Sequence, residues 1–173
     1  MLSKELKKLT KEAESGDVIA QYNLGITYMK GLDVDIDLKQ AKFWFEQSAA
    51  QGDEDAEEAL DIMKEWEELA YEYYEIKKYD KAFEYMIKIA DIGDENAQVI
   101  VGWMYKTGTG THKNLHQALY YYEQAAEQGH ADAQWNTSLL YAGQNNENAT
   151  LHWLRKAAGQ GHEEALAIRN KYD

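Results

Sequence analysis

The sequence predicts an all-α fold in which a pair of helices is repeated about four times. The 173 residues include twelve Gly and no Pro, and the Gly recur singly, as they do at turns between helices. A Gly followed four residues later by Ala occurs five times, at spacings of 36, 41, 36 and 32 residues. The residues around each of these Gly have the periodicity of a helix face, so we expect a helix on both sides of each Gly.

The helix before each Gly, helix B, has small or apolar residues on one face. In the third repeat these residues are Ala118, Tyr121, Tyr122, Ala125 and Ala126. Their offsets of 0, 3, 4, 7 and 8 describe a single face of an α-helix. The Gly at offset 11 suits a left-handed C-cap, which requires a positive φ.

The helix after each Gly, helix A, begins at the recurring Ala. In the third repeat Ala97 is followed by Val101, Gly102 and Tyr105 at offsets 4, 5 and 8. The small residue at offset 5 allows helix B to cross closely. One such hairpin has too small an apolar face to be stable alone, so we expect neighbouring hairpins to stack.

In chain order the sequence predicts ten helices, near residues 2–15, 17–30, 38–51, 53–76, 79–92, 94–107, 115–128, 130–142, 147–160 and 162–171. The helix at 53–76 is predicted to be long, because nine extra residues separate Ala56 from Glu65. We expect one domain over residues 1–173, with repeats near 17–52, 53–93, 94–129 and 130–161 and a C-terminal cap at 162–173.

These repeats resemble known families. The run Ala20-Gln21-x-x-Leu24-Gly25-x-x-Tyr28 resembles the Sel1-like repeat, as does the equivalent run that starts at Ala97. The second repeat resembles the shorter tetratricopeptide repeat through a set of apolar and aromatic residues: Trp66, Leu69, Ala70, Tyr73, Tyr79, Ala82 and Tyr85. The resemblance implies a right-handed α/α superhelical solenoid of about four hairpins plus terminal helices. It also implies an adaptor or scaffold without a shared active site, in which helix A lines the concave surface.

Composition excludes several classes of function. The chain has 18 Lys+Arg against 31 Asp+Glu, a net charge of −13, which disfavours nucleic acid and anionic membrane surfaces. The absence of Cys excludes disulfides, thiolate metal sites and cysteine nucleophiles. No apolar run is long enough to span a bilayer and the N-terminus does not resemble a signal peptide, so we expect a cytoplasmic protein.

Histidines offer only a weak signal for a metal site. His112 and His116 are four residues apart, but His112 falls in a loop, before helix B begins. His130 and His162 occupy equivalent turn positions after Gln-Gly and are features of the repeat. We therefore predict no metal, no cofactor and no catalytic residue.

The strongest electrostatic feature is an acidic run in the second repeat. Residues 53–75 hold eleven Asp and Glu and one base, Lys64, and contribute −10 to the net charge. One interpretation is a solvated helix face. The other is a docking surface for a basic partner, with fast and salt-sensitive association.

The concave face is the predicted binding surface. Projecting the exposed helix A positions gives a set rich in aromatic residues: Tyr22, Ile26, Met29, Glu67, Tyr71, Tyr74, Glu75, Trp103, Lys106, Trp135 and Leu139. An aromatic groove rimmed by acids suits a partner segment that carries Lys or Arg beside apolar side chains. Some of these aromatics could instead pack between repeats.

We therefore predict a non-enzymatic protein-interaction module that binds a basic partner through its concave face and acidic second repeat. A narrower alternative is a bacterial immunity or antitoxin protein, whose carboxylates mimic phosphate and neutralise a cationic toxin. An enzyme acting on a small or cell-wall ligand is disfavoured, because relatives linked to such ligands are rich in Cys. A subunit that forms homo-oligomers through an open end of the solenoid is the remaining alternative.

Overall fold

The protein is described by a computed structural model that covers residues 3–172, with side chains up to Arg169. The described residues form ten α-helices: α1 Lys4–Glu14, α2 Val18–Lys30, α3 Leu38–Ala49, α4 Glu54–Glu75, α5 Tyr79–Ile92, α6 Glu95–Thr107, α7 Leu115–Gln128, α8 Ala131–Gly143, α9 Glu147–Gly159 and α10 Glu163–Tyr172. The all-α prediction is confirmed, and so is the long fourth helix, which has 22 residues.

The chain divides into two compact units, which we call the N-terminal unit (residues 1–69) and the C-terminal unit (residues 70–173). The division falls inside α4. The predicted single domain over residues 1–173 stays a prediction.

In the N-terminal unit α1 packs on α2, and α2 packs on α3. Leu6, Ala13, Ala20 and Leu24 form a buried cluster between these helices. The small residue predicted at offset 5 is Gly25, where a Cβ atom would lie 2.6 Å from the ring of Phe45. Only Gly allows this ring to approach so closely.

In the C-terminal unit each helix from α5 to α10 packs on the next. Gly102 and Tyr122 repeat the pairing of Gly25 and Phe45, since a Cβ atom at Gly102 would lie 2.8 Å from the Tyr122 ring. The following repeat has Ser138 and Leu154 at these two positions, and both are buried. A larger helix A residue is thus combined with a smaller helix B residue.

A hydrogen-bonded glutamine pair recurs in the first, third and fourth repeats. In each, the Gln just before the turn Gly donates from Nε2 to Oε1 of the Gln that follows the first Ala of helix A. Gln51 donates to Gln21 over 2.7 Å, Gln128 donates to Gln98 over 2.9 Å, and Gln160 donates to Gln134 over 2.8 Å. The second repeat has Ile92 at the donor position, so this repeat departs from the pattern where its sequence also departs.

The turns have the predicted cap geometry. All five repeat Gly have positive φ, including 113° at Gly93 and 108° at Gly129. After three of the turns the carboxylates of Asp17, Asp53 and Asp94 cap the next helix, accepting hydrogen bonds from the backbone N–H of Ala20, Ala56 and Ala97. The short turns therefore fix where each helix A begins.

The longer loop between α6 and α7 lies against the start of α5. Gly110 in this loop has a φ of +72°, and a Cβ atom there would lie 2.1 Å from the carbonyl oxygen of Tyr79. Both the conformation and the space require Gly.

None of the helices between residues 3 and 172 is long and apolar enough to cross a lipid bilayer.

Candidate functional site

An aromatic cluster forms where α4 ends and α5 begins. The rings of Tyr74 and Tyr79 are 5.7 Å apart, and each lies 6.4 Å from the ring of Trp103 on α6. The three rings meet edge to face, at angles of 66–73°. This arrangement holds each ring in place while leaving part of its surface exposed, since none of the three residues is buried.

Tyr74 and Trp103 form part of the wall of a groove of about 520 Å³, which we call the aromatic groove. Trp135 on α8 lies further along the same wall. The groove is lined by residues of five helices and the turn before α10: Tyr74, Val99, Ile100, Trp103, Tyr122, Asp132, Trp135, Asn136, His162 and Glu164. Three of the predicted partner-binding residues thus meet in one groove of the C-terminal unit.

The far end of the groove is acidic. The His162 ring lies 5.4 Å from that of Trp135 at an angle of 33°, and its nitrogens lie 3.3 Å from a carboxylate oxygen of Asp132 and 3.4 Å from one of Glu164. The His162 side chain is only 10% exposed, whereas those of Asp132 and Glu164 are 68% and 69% exposed. The imidazole is therefore shielded, and the two carboxylates face solvent.

Lys106 was predicted to contribute a cation to the concave face. Its ammonium group donates a hydrogen bond to Oδ1 of Asn136 over 3.0 Å, and Asn136 lines the aromatic groove. Lys106 is half-buried. Its charge is therefore held beside the groove by α8.

The other predicted residues of the C-terminal unit lie outside the aromatic groove. Tyr71 is half-buried and Glu75 is exposed. Leu139 is 40% exposed and lines a second cavity together with Trp135.

The predicted residues of the N-terminal unit are also accessible. Tyr22, Ile26 and Met29 are half-buried, and Glu67 is exposed. The Tyr22 ring lies 5.8 Å from that of Phe45. Burial raises the pKa of the Tyr22 hydroxyl, and the nearby carboxylate of Asp55 raises it further. The surface around Tyr22 is therefore aromatic and negatively charged.

The acidic run of residues 53–75 lies almost entirely on α4. Ten of its eleven carboxylate residues are exposed, and Asp53 is half-buried. Within the described part of the chain, none of the eleven forms an ion pair with Lys or Arg. Among the described residues, no short ion pair with Lys or Arg therefore offsets their mutual repulsion.

Four residues of the aromatic groove were not expected from the sequence: Asp132, Asn136, His162 and Glu164. His162 lies at the turn position equivalent to Asp17, Asp94 and His130, and these three side chains cap the first turn of a helix A. Because His162 follows the same repeat register, its position beside the preceding helix A could have been predicted from the sequence.

The described side chains offer no metal site, because no group of three or more His, Asp or Glu is arranged to hold an ion. The aromatic groove can bind apolar and cationic groups through its rings and its two exposed carboxylates.

Comparisons with known proteins agree with the repeat structure. The family model described as the Sel1 repeat matches four segments of the chain, residues 18–53, 69–94, 96–130 and 131–162. The second match begins at Leu69, so residues 54–68, which carry most of the acidic run, lie outside the repeat pattern.

A sel1-like repeat-containing protein of Acanthamoeba polyphaga mimivirus is 30% identical over 130 residues, which is 75% of this chain and 22% of that protein. One similar crystal structure is that of a protective antigen of uropathogenic Escherichia coli, which displays an SLR fold. It is 26% identical in sequence with a TM-score of 0.55, and the match covers 92% of this chain and 34% of the antigen chain. A Sel1 repeat protein from Oxalobacter formigenes is 31% identical, with a TM-score of 0.49, over 92% of this chain and 65% of its own. This chain therefore spans only part of each relative.

Four matched repeats account for about three quarters of the residues. The chain belongs to the Sel1 repeat family.

Proposed function

We propose that this chain is a non-enzymatic protein-interaction module that binds a basic partner segment in the aromatic groove. Proteins built from Sel1 and similar repeats are generally protein-interaction modules and typically non-enzymatic scaffolds. The observation that carries the finer proposal is the groove itself, in which three partly exposed aromatic residues lead to the exposed carboxylates of Asp132 and Glu164.

The partner's chemistry follows from the groove. Partly exposed Trp and Tyr are the side chains that most often dominate binding energy at protein interfaces. Their faces also attract Lys and Arg, by about 0.5–2 kcal/mol for each contact. Asp132 and Glu164 add charge complementarity to the same cations. A segment that alternates apolar and basic side chains therefore fits this site best.

The acidic run on α4 contributes in a different way. Exposed carboxylates in such excess over bases produce a long-range negative potential, which accelerates the approach of a basic protein. This contribution falls steeply with ionic strength. We expect the run to affect the association rate more than the dissociation rate.

The experiment is affinity capture with matched variants. Immobilised wild-type protein should retain a basic protein from a lysate of its source cells, and salt should release it. Trp103→Ala and Trp135→Ala should each reduce retention at least about tenfold. Tyr120→Ala is the control, because Tyr120 is 52% exposed on α7 and does not line the groove.

Helicity measured by circular dichroism must be the same for all variants. Equal retention by wild type and both Trp variants would contradict the groove as the binding site. Retention of an acidic partner would contradict the charge assignment. A captured toxin domain whose activity is lost on binding would support the narrower alternative of an immunity protein.

A further inference from the structure

A second cavity, of about 530 Å³, lies between α8, α9 and α10. Its apolar wall is formed by Trp135, Leu139, Leu151, Leu154 and Ile168. The volume is in the range typical of small-molecule sites, about 300–1,000 Å³. We call it the C-terminal cavity.

The lining of this cavity differs from the equivalent positions one repeat earlier. Trp135, Ser138 and Arg169 are larger than their counterparts Val99, Gly102 and Thr137, and three other lining side chains are smaller. The smaller residues are Leu139, where the preceding repeat has Trp103, Ala142, where it has Lys106, and Leu154, where it has Tyr122. All three smaller residues line the cavity. In the preceding repeat the Tyr122 ring packs against Gly102, whereas here Ser138 and Leu154 both line the cavity.

The charge of the cavity is unusual for this protein. The chain has 16 Lys but only two Arg, and both of these, Arg155 and Arg169, line the C-terminal cavity. Arg169 stands at the helix A position that holds Leu24, Val101 and Thr137 in other repeats, and those three residues are fully buried. A cationic side chain therefore replaces a core residue at this point, and its Nε atom is shielded from solvent.

Glu147 also lines the cavity and is the acid among its described lining residues. The remaining described lining side chains are uncharged, so the cavity carries a net charge of +1 in a chain whose net charge is −13. Screening at physiological salt limits the influence of charges more than about 8 Å away. An anion can therefore be attracted here in spite of the overall negative charge.

We propose that the C-terminal cavity binds a small apolar monocarboxylate. Its apolar body would lie against Trp135, Leu151 and Leu154. Its carboxylate would be held by Arg155 and Arg169, because guanidinium groups pair with carboxylates through two parallel hydrogen bonds. A net charge of +1 favours one carboxylate over a dianion. The cavity shares Trp135 with the aromatic groove, but the proposal does not depend on partner binding there, which the experiment below does not test.

The proposal can be tested by nuclear magnetic resonance titration with 3-phenylpropionate. The indole N–H signal of Trp135, assigned with a Trp135→Phe variant, should shift and saturate with a Kd of about 1 mM. The corresponding neutral amide, 3-phenylpropanamide, should bind at least about tenfold more weakly. N-acetylphenylalanine is a third probe, which represents the carboxyl terminus of a peptide.

Matched variants locate the site. Arg155→Gln and Arg169→Gln should each weaken binding of 3-phenylpropionate about tenfold. Lys156→Gln is the control, because it removes a positive charge from the residue next to Arg155 without altering the cavity lining. Leu154→Phe should abolish binding by filling the space. Because Ser138 could prevent that variant from folding, the double variant Ser138→Gly and Leu154→Phe restores the pairing found at Gly25 and Phe45.

Three results would overturn the proposal: no saturable shift up to about 20 mM, equal binding of acid and amide, or equal binding by wild type and both Arg variants. Tighter binding of 3-phenylpropionate than of N-acetylphenylalanine would support a free acid as the ligand. The reverse order would support the same chemistry supplied by a peptide carboxyl terminus.

Discussion

The side-chain amide of Gln128 donates a hydrogen bond to Oε1 of Gln98 over 2.9 Å, and Gln98 donates to the carbonyl oxygen of Ala90 over 3.0 Å. These bonds connect the end of α7, the start of α6 and the end of α5. Gln98 is only 4% exposed, whereas Gln128 is exposed. Two residues of the same type in one network thus differ in their access to water.

Gln98→Leu should lower the free energy of unfolding by about 2 kcal/mol, because the Ala90 carbonyl oxygen and the Gln128 amide lose their hydrogen-bond partner at a buried position. Gln128→Leu should lower it by about 0.5–1 kcal/mol, because water can replace the lost hydrogen bonds at an exposed position. Urea unfolding followed by circular dichroism measures both. Equal losses in the two variants would show that burial does not determine the strength of this network.

Gly102→Ala should destabilise the protein by about 1–3 kcal/mol, because the added methyl group would displace the Tyr122 ring. Gly143→Ala is the matched control, since Gly143 is helical and a Cβ atom there meets nothing within 4 Å. That variant should be up to about 1 kcal/mol more stable than wild type. Thermal unfolding distinguishes the two, and a stable Gly102→Ala protein would contradict the close crossing of α6 and α7.

Asp61→Lys should stabilise the protein, because Asp61 is exposed on α4 four residues from both Glu57 and Glu65. The pairs with Glu57, Glu58 and Glu65 become attractive and the pair with Lys64 becomes repulsive, each worth about 0.2–0.5 kcal/mol at low salt, so a net gain remains. The gain should nearly vanish at an ionic strength of about 1 M. Urea unfolding at low and high salt tests this, with Asp61→Asn separating loss of repulsion from new attraction. A destabilised Asp61→Lys protein at low salt would contradict uncompensated repulsion on α4.

Tyr141→Phe should lower the free energy of unfolding by about 1 kcal/mol at neutral pH, through loss of a hydrogen bond. The Tyr141 hydroxyl donates to the Glu123 carboxylate, and this bond, together with burial, raises the pKa of Tyr141 to about 12. Because the folded-state pKa lies above the unfolded value of about 10, the stabilisation is complete below pH 10 and is lost between about pH 10 and 12.

The stability difference between wild type and Tyr141→Phe should therefore be constant from pH 7 to about 10 and then shrink. Urea unfolding of both proteins across this range measures it. A difference that grew above about pH 10 would show that Tyr141 does not gain its proton affinity from the folded state.

The helices could be predicted because their signals are local and repeat. Small residues such as Gly25 and Gly102 recur at a fixed offset, and the turn Gly require positive φ wherever they occur. The length of α4 was also predictable, since residues 54–68 interrupt the repeat spacing without introducing Gly or Pro.

The site could be predicted only in part. Tyr74, Trp103 and Trp135 follow from the helix A register, but their meeting with His162 depends on how a turn side chain packs against the preceding helix. The C-terminal cavity is harder still, because it depends on how side chains from three helices pack together. No single residue signals such a space, although an Arg at a core position was visible.

Because Gly110 lies against the Tyr79 carbonyl, the long loops of the first and third repeats should differ in how well they tolerate an inserted sequence. A tag or foreign epitope inserted beside Gly110 would push against the backbone of a neighbouring hairpin. The loop between α2 and α3 instead exposes Leu32 and Ile36 to solvent. Grafting is therefore better directed to the earlier loop, even though the two have similar lengths.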